Sequence, residues 1–409
     1  GTMFFAEILG QKNLILMDMG GTSFDVSLIN NGKVTLSTEG EIAGYRVAKP
    51  MIDINTVGAG GGSVAWLDSG GMLKVGPESA GSDPGPVCYD LGGEKPAVTD
   101  ANLILGYLNK DFFLGGEMKV NLDKAKAAME KEISGPLGMS VEEASHGVFK
   151  IINQNMADAT KVVSVQRGYD PREYTLISAG GACSIHACKI AEEVGSTKVI
   201  VPKAASVFCA LGMLESDIRL DHVKTYNATI PGIDLNDFNQ VTAAVEKQAL
   251  AELLQEGVHQ DVTTLLRYLD VRYIGQHHEV TVEIPGDCLI EESHLEEIAE
   301  TFHKAHEMLY TYSTRENPIE IMNLRITAVG AVEKTGMEES PVAKADAADA
   351  VKASRMVYLE DYQGKNGYFD VPVYDRDKLR PGSGITGPAI VEERITTIVV
   401  HPGWILTVD

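Results

Sequence analysis

The chain has 409 residues, with 35 Lys and Arg against 58 Asp and Glu and a formal net charge of -23. That length exceeds the roughly 250 to 300 residues over which one core keeps growing, so at least two domains are expected. The negative field repels phosphate backbones and anionic headgroups, which excludes nucleic acid and membrane surfaces as main partners, and five cysteines without framework spacing read as reduced thiols of a cytoplasmic protein.

Gly1 to Gly10 reads as the end of a helix that runs straight into a strand, so the chain is expected to be truncated at its N-terminus. Asn13 to Asn30 predicts a β-hairpin around a Gly-Gly-Thr turn, because apolar Leu14 to Met17 and the alternating Phe24, Val26 and Leu28 flank it. Glu39 to about Pro96 is crowded with Gly, Pro, Ser and Asp and predicts loop and short strand. Helical periodicity follows at Asp100 to Leu108, Leu122 to Lys131 and Val141 to Gln166. A βαβ unit is predicted from a strand at Tyr174 to Ala179, a helix at Ile185 to Val194 and a strand at Lys198 to Pro202. Beyond Leu214 an α+β segment is expected, with strands at 223–230, 264–274, 279–284 and 320–330 and helices at 236–256 and 291–309. The division expected is 1–215 for an α/β domain, 216–340 for the α+β domain, 341–356 for a linker rich in Ala, Asp and Lys, and 357–409 for a small C-terminal β module.

The sharpest chemical signal is Asp18-Met19-Gly20-Gly21-Thr22-Ser23-Phe24-Asp25 between two strands. Two glycines let phosphate oxygens approach backbone N–H groups, Thr22 adds a hydroxyl, and Asp18 at a strand end can hold the water shell of Mg²⁺. The alternative is an ordinary Gly-Gly hairpin, and two stretches of that kind, Asp68 to Gly71 and Asp90 to Gly93, lack the Thr and are read as turns. Val57 to Ser63, with Gly58, Gly60, Gly61, Gly62 and Ser63, fails the Gly-x-Gly-x-x-Gly pattern and reads as a loop lining a ligand or as a mobile turn. Gly180-Gly181, after a strand and before a helix, is a second place where backbone can approach a ligand. Cys183, His186 and Cys188 read as a packed helix start and His303 and His306 as a solvated helix face, since neither group has metal-site spacing.

Four ordered blocks, DMGGTSFDVSLI from Asp18, DINTVGAGGGSVAW from Asp53, GPESAGSDPGPVCY from Gly76 and TDANLILGYL from Thr99, resemble the hydantoinase A / 5-oxoprolinase family. The likeness continues through VVSVQRGYDP from Val162, RYIGQ from Arg272, Asn323-Leu324-Arg325, GPAIVE from Gly387 and HPGW from His401, and covers essentially the whole chain. It implies an α/β fold of the actin, sugar kinase and heat-shock chaperone type, here a partial ATPase domain carrying the second of two phosphate hairpins. By the resemblance, Gly20, Gly21, Thr22, Ser23 and Asp25 bind phosphate, Gly180 and Gly181 form the adenosine-side loop, and Asp18 is catalytic through Mg²⁺ and water. The stretch Asp53, Gly58, Gly60, Gly61, Gly62 and Ser63 is then the substrate loop, with catalytic Asp100 near the reacting carbonyl. ATP and Mg²⁺ are the implied cofactors.

The resemblance further implies a subunit of an ATP-dependent cyclic amide hydrolase, which phosphorylates a carbonyl oxygen so that water can open the ring. The other branch is an acetone or acetophenone carboxylase subunit, and both imply a hydantoinase B-type partner in a hetero-oligomer. A nucleotide-gated interaction protein of the actin or chaperone kind is the reading of a different class, and a sugar kinase a further one. No Gly-x-Ser-x-Gly elbow offers a serine nucleophile.

Overall fold

The computed structural model describes residues 1–37, 40–42, 45–47, 51–285, 288–334 and 346–409. The chain divides into two compact units, Gly1–Leu214 with Met337–Asp409, and Glu215–Gly336.

In the first unit, helix α1 (Thr2–Ile8) leads into β1 (Leu14–Met19), which pairs antiparallel with β2 (Phe24–Asn30) as the apolar alternation predicts. β3 (Lys33–Val34) and β4 (Ile54–Val57) both pair with β2, and a hairpin of β5 (Ser63–Leu67) and β6 (Leu73–Ser79) follows. Three helices come next: α2 (Val98–Ile104), α3 (Leu122–Met129) and α4 (Val141–Val163). α4 starts at a reciprocal cap in which Ser140 Oγ accepts from Glu143 N–H and the Glu143 carboxylate accepts from Ser140 N–H. Its buried stripe of Ala144, Val148, Ile152, Met156, Ala159 and Val163 advances by three or four residues, so a single face covers the sheet. β7 (Thr175–Ala179), α5 (Cys183–Val194) and β8 (Val199–Ile200) complete the predicted βαβ unit, with β7 parallel to both β1 and β8. The sheet therefore runs β8, β7, β1, β2, β3, and β1 lies at its centre, with Ile15, Met17 and Met19 in the core. A short helix that the periodicity did not announce, α6 (Phe208–Leu214), closes this part, with Phe208 packed on Phe5 of α1.

The second unit is an antiparallel sheet of β9 (Ile218–Ile230), β10 (Thr263–Tyr273), β11 (Val280–Ile284) and β12 (Ile319–Gly330), in the order β9, β12, β10, β11. Two helices, α7 (Leu235–Gln255) and α8 (Glu292–Tyr310), pack on it. Asp270 is 1% exposed and receives Thr281 Oγ1–H at 2.7 Å, Asn323 Nδ2–H at 3.1 Å and Arg325 Nη2–H at 2.8 Å. The Asn-Leu-Arg block is thus the internal partner of a buried carboxylate. His303 and His306, expected on a solvated face, are buried instead, at 7% and 1%. Tyr273 O–H meets His303 Nδ1 at 2.6 Å, and His306 Nε2 meets Gln276 Oε1 at 3.1 Å, so the Arg-Tyr-Ile-Gly-Gln block supplies their polar partners. An imidazole whose nitrogens find partners can sit in an aromatic core, which a count of helix-face polarity does not register.

The expected linker 341–356 is partly strand. Residues 341–345 lie outside the described residues, Ala347–Ala350 is a 3₁₀ turn, and β13 begins at Val351. β13 (Val351–Tyr362), β14 (Lys365–Asp375), β15 (Ala389–Glu392) and β16 (Thr397–Val400) form a sheet in that order. It belongs to the first unit: β16 packs on α5, and Val357, Ile390 and Val399 share a core with Tyr107, Phe149 and Ile185. Behind that core His186 is fully buried, with Nδ1 bonded to Asn153 Oδ1 at 2.7 Å and Nε2 facing Asn102 Nδ2 at 3.1 Å. Cys183 and Cys188 are buried on the same helix, and no group of three or more metal-ligating side chains is assembled among the described residues. None of the described helices is long and apolar enough to cross a membrane.

Candidate functional site

The turn Gly20–Ser23 sits where the central strand ends. Register places Asp18 opposite Asp25 on β2 and opposite Ala179 on β7, and Gly20 N–H closes the turn on Ser23 O at 3.1 Å. Gly21 and Thr22 are exposed. Neither Gly20 nor Gly21 has a left-handed φ, and a Cβ on either would meet nothing within 4 Å. The fold itself therefore does not demand glycine there, and what the missing side chains provide is open space over the backbone.

The direction of that backbone follows from the loop behind it. Gly61 N–H donates to Gly20 O at 3.0 Å and Gly62 N–H to Gly21 O at 2.6 Å. In a trans peptide the N–H points opposite to the C=O, so the N–H groups of Gly21 and Thr22 face away from the loop. Among the described residues neither has a hydrogen-bond partner. Two adjacent unpaired N–H groups on an exposed turn are free to donate to anionic oxygens, and the open space over Gly20 and Gly21 leaves room for such a group to approach.

The glycine-rich loop has a supporting position. Gly60, Gly61, Gly62 and Ser63 are buried, and a Cβ at Gly60 would stand 2.6 Å from the Gly21 carbonyl carbon and the Thr22 nitrogen. Thr99 fixes the loop by donating both N–H and Oγ1–H to Gly61 O, each at 2.8 Å, and Ser63 Oγ accepts from Gly60 N–H at 2.8 Å. The expected substrate loop is thus a brace for the turn over residues 60–63, while Gly58 is exposed beside Pro77. Asp53 is engaged by Arg167 at 3.2 Å. Asp100 is fully buried, and its carboxylate accepts from the N–H groups of Val87 (3.2 Å), Cys88 (2.7 Å) and Ala97 (2.8 Å). Burial pushes its pKa up while these bonds pull it down. Asp100 holds the 76–89 block against α2, and nothing here opens it to a reacting carbonyl.

Asp18 has different surroundings. Gly180 adopts φ +80°, and a Cβ on it would lie 2.2 Å from Met19 O and 2.6 Å from Asp18 Oδ1, so glycine is required for the strand end to pass this close. Ala182 N–H donates to Met19 O at 3.1 Å, which sets the start of α5 beside the turn. Cys209 of α6, 191 residues away in sequence, donates Sγ–H to Asp18 Oδ2 at 2.9 Å. Burial, and next the Asp18 carboxylate, push that thiol up to about 11, so it stays a donor at neutral pH. Asp25 accepts from Thr56 Oγ1 at 2.5 Å and from Ser23 Oγ at 3.1 Å. By contrast Asp68, in one of the look-alike stretches, spends Oδ1 on the N–H groups of Gly70 and Met72 in its own turn. Asp18, Gly20 to Ser23, Asp25 and Gly180 come together; Asp53 and Asp100 have other partners. Cys209, Thr56 and Thr99 were not foreseen, because no local spacing signals contacts made across such sequence distances.

Residues 1–222 match the hydantoinase/oxoprolinase family and residues 234–409 its hydantoinase/oxoprolinase C-terminal domain. The chain belongs to the hydantoinase/oxoprolinase family. Caprolactamase subunit alpha of Pseudomonas jessenii is 41% identical over 99% of this chain and 58% of its own length. The crystal structure of the ATP-dependent caprolactamase from Pseudomonas jessenii superposes with TM-score 0.83 at 39% identity, covering 100% of this chain and 59% of that one. The nucleotide-free structure of acetone carboxylase, described as carrying out ATP-dependent acetone carboxylation, gives TM-score 0.85 at 28% identity over 100% and 58%. The mixed α/β fold is therefore that of these family members, and the chain spans under two thirds of each of the three. The C-terminal family segment, 234–409, covers most of the second unit and also the strands that return to the first.

Proposed function

We propose that this chain is part of a subunit of an ATP-dependent cyclic amide hydrolase, built on an actin-like ATPase fold and working in the cytoplasm beside a hydantoinase B-type partner. The observation that carries the reading is the outward pair of N–H groups at Gly21 and Thr22, on a turn whose glycines the fold does not need for its own packing. These groups, with the Thr22 and Ser23 hydroxyls, would hold nucleotide phosphates. Asp18, and beyond it Asp25, would hold the hydration shell of Mg²⁺ against them. When bound, ATP would supply a phosphoryl group to the carbonyl oxygen of a lactam or hydantoin, an otherwise poor electrophile. The residues of the chain would orient phosphate and neutralise charge, with Gly60–Gly62 keeping the turn rigid.

The likeness to caprolactamase at 41% identity favours the amide branch. A carboxylase acting on a ketone is the second reading, supported by the acetone carboxylase likeness. The deciding experiment measures phosphate release by the complete subunit with its partner, given either cyclic amides or a ketone with bicarbonate. Stimulation by an amide is expected. Stimulation only by ketone with bicarbonate transfers the protein to the other branch, and none by either ends the proposal. Asp18→Asn should keep the fold and lower turnover by about 100-fold or more, because a neutral amide cannot stabilise the metal charge equally; unchanged phosphate release removes Asp18 from the site.

A further inference from the structure

The turn between β15 and β16, in the C-terminal sheet, touches the loop that follows β7. Thr396 Oγ1–H donates to Gly181 O at 3.0 Å, and a Cβ on Gly181 would lie 3.4 Å from Ile395 O. The turn is held from within by Glu393 N–H to Thr396 O at 3.0 Å. It is also held from outside: the half-buried Glu393 carboxylate pairs with Arg376 Nη1 at 2.8 Å, and Arg376 Nη2 donates to Val201 O at 2.7 Å, just past β8. A rigid piece of the last sheet is therefore docked beside Gly180-Gly181. Thr396, Thr397, Ile398 and Val399 that follow it are buried, whereas Ile395 is left 39% exposed.

We propose that this turn forms the nucleoside-side wall of the candidate site, with Ile395 as the residue on which the purine face packs. The proposal rests on the nucleotide reading given above. The path is continuous: the phosphate turn follows Asp18 and Met19, Gly180 abuts both of these, Gly181 comes next, and the Ile395–Thr396 turn abuts Gly181. A purine offers two flat apolar faces and a polar edge, and an apolar side chain on a fixed backbone is what such a face packs against. A lone exposed isoleucine is ordinary on a protein surface; here it stands on a clamped turn at the end of a phosphate-to-loop path. Ile395 is a specificity-determining residue on this account, and it comes from the C-terminal family segment.

Methyl NMR of the 409-residue chain, labelled at isoleucine δ1 and at backbone nitrogen, tests this, with the Ile395 peak assigned by Ile395→Val. Mg-ATP is expected to move both the Gly21 amide and the Ile395 methyl, and Mg-tripolyphosphate to move Gly21 alone. In Ile395→Asp the affinity for Mg-ATP should fall about tenfold relative to Mg-tripolyphosphate; the methyl shift in the unsubstituted chain stands whether or not that variant folds. If Mg-ATP moves Gly21 and leaves Ile395 still, the wall is wrong and the nucleotide reading survives. If neither ligand moves Gly21, both are overturned.

Discussion

Two glycines of the site, both in backbone regions open to any residue, answer to opposite requirements. Gly60 is pressed against the carbonyl of Gly21, so Gly60→Ala should displace the turn and lower stability by about 1–3 kcal/mol, the usual cost of overpacking. Gly21 has open space, so Gly21→Ala should leave the melting temperature nearly unchanged while weakening Mg-ATP binding about tenfold. Thermal melts and titrations of both variants check this; equal losses of stability would mean that Gly21 also serves packing. The buried histidines give a second residue-level expectation. Burial lowers His186 to about 3 and His401 well below its ordinary value, so both rings are neutral in the fold. As pH falls below about 6.5 the unfolded chain binds protons that the folded chain refuses, and stability drops by about 1.4 kcal/mol per pH unit for each such group, for His186 down to about pH 3. Urea midpoints at pH 7.5 and 5.5 should therefore differ, and His186→Gln should shrink the difference. A midpoint independent of pH in the parent chain contradicts it.

Elements were legible wherever a segment carried its own period. The hairpin at Leu14 to Asn30, the helix from Val141 and the βαβ unit were foreseen, because alternation, helical periodicity and turn chemistry are local, whereas the Ser140 cap of α4 was not read. What could not be read was partnership. Nothing near Asp100 in sequence says that its carboxylate will be taken by Val87 and Cys88, and nothing near His306 says that Gln276 will reach it. Likewise the start of β13 at Val351 carries Lys, Ala, Ser and Arg on a half-exposed strand, and such composition reads as linker until a neighbouring strand is known. The Asp270–Arg325 pair between β10 and β12 belongs to this scale. Asp270→Ala leaves Arg325, whose side chain is 13% exposed, without its carboxylate. The expected loss is about 3–5 kcal/mol, confined to the second unit. Hydrogen exchange should show faster opening of β9 to β12 and unchanged protection of β1 and β7; uniform loss across both units would contradict it.

At the scale of the whole molecule the first unit is discontinuous in sequence, and the second is carried between its two parts. The second unit has its own core and its own buried ion pair. Residues 215–336 expressed alone should therefore fold, with a cooperative urea transition and dispersed methyl signals; a broad, non-cooperative transition would show that it depends on its host. Where this unit begins and ends has a consequence for assembly. Ile218 and Gly330 are register partners on adjacent strands, so an excursion of about 120 residues departs and returns within roughly one strand spacing. While it is unfolded, the strands from Val351 onward are tethered to α5 only by a long slack coil; once folded, it shortens that tether to about twenty residues on each side. Closing a loop shortened about three- to fourfold is easier by about 1 kcal/mol, so the docking of β16 and of the Ile395 turn is favoured once a domain with which they share no core has folded.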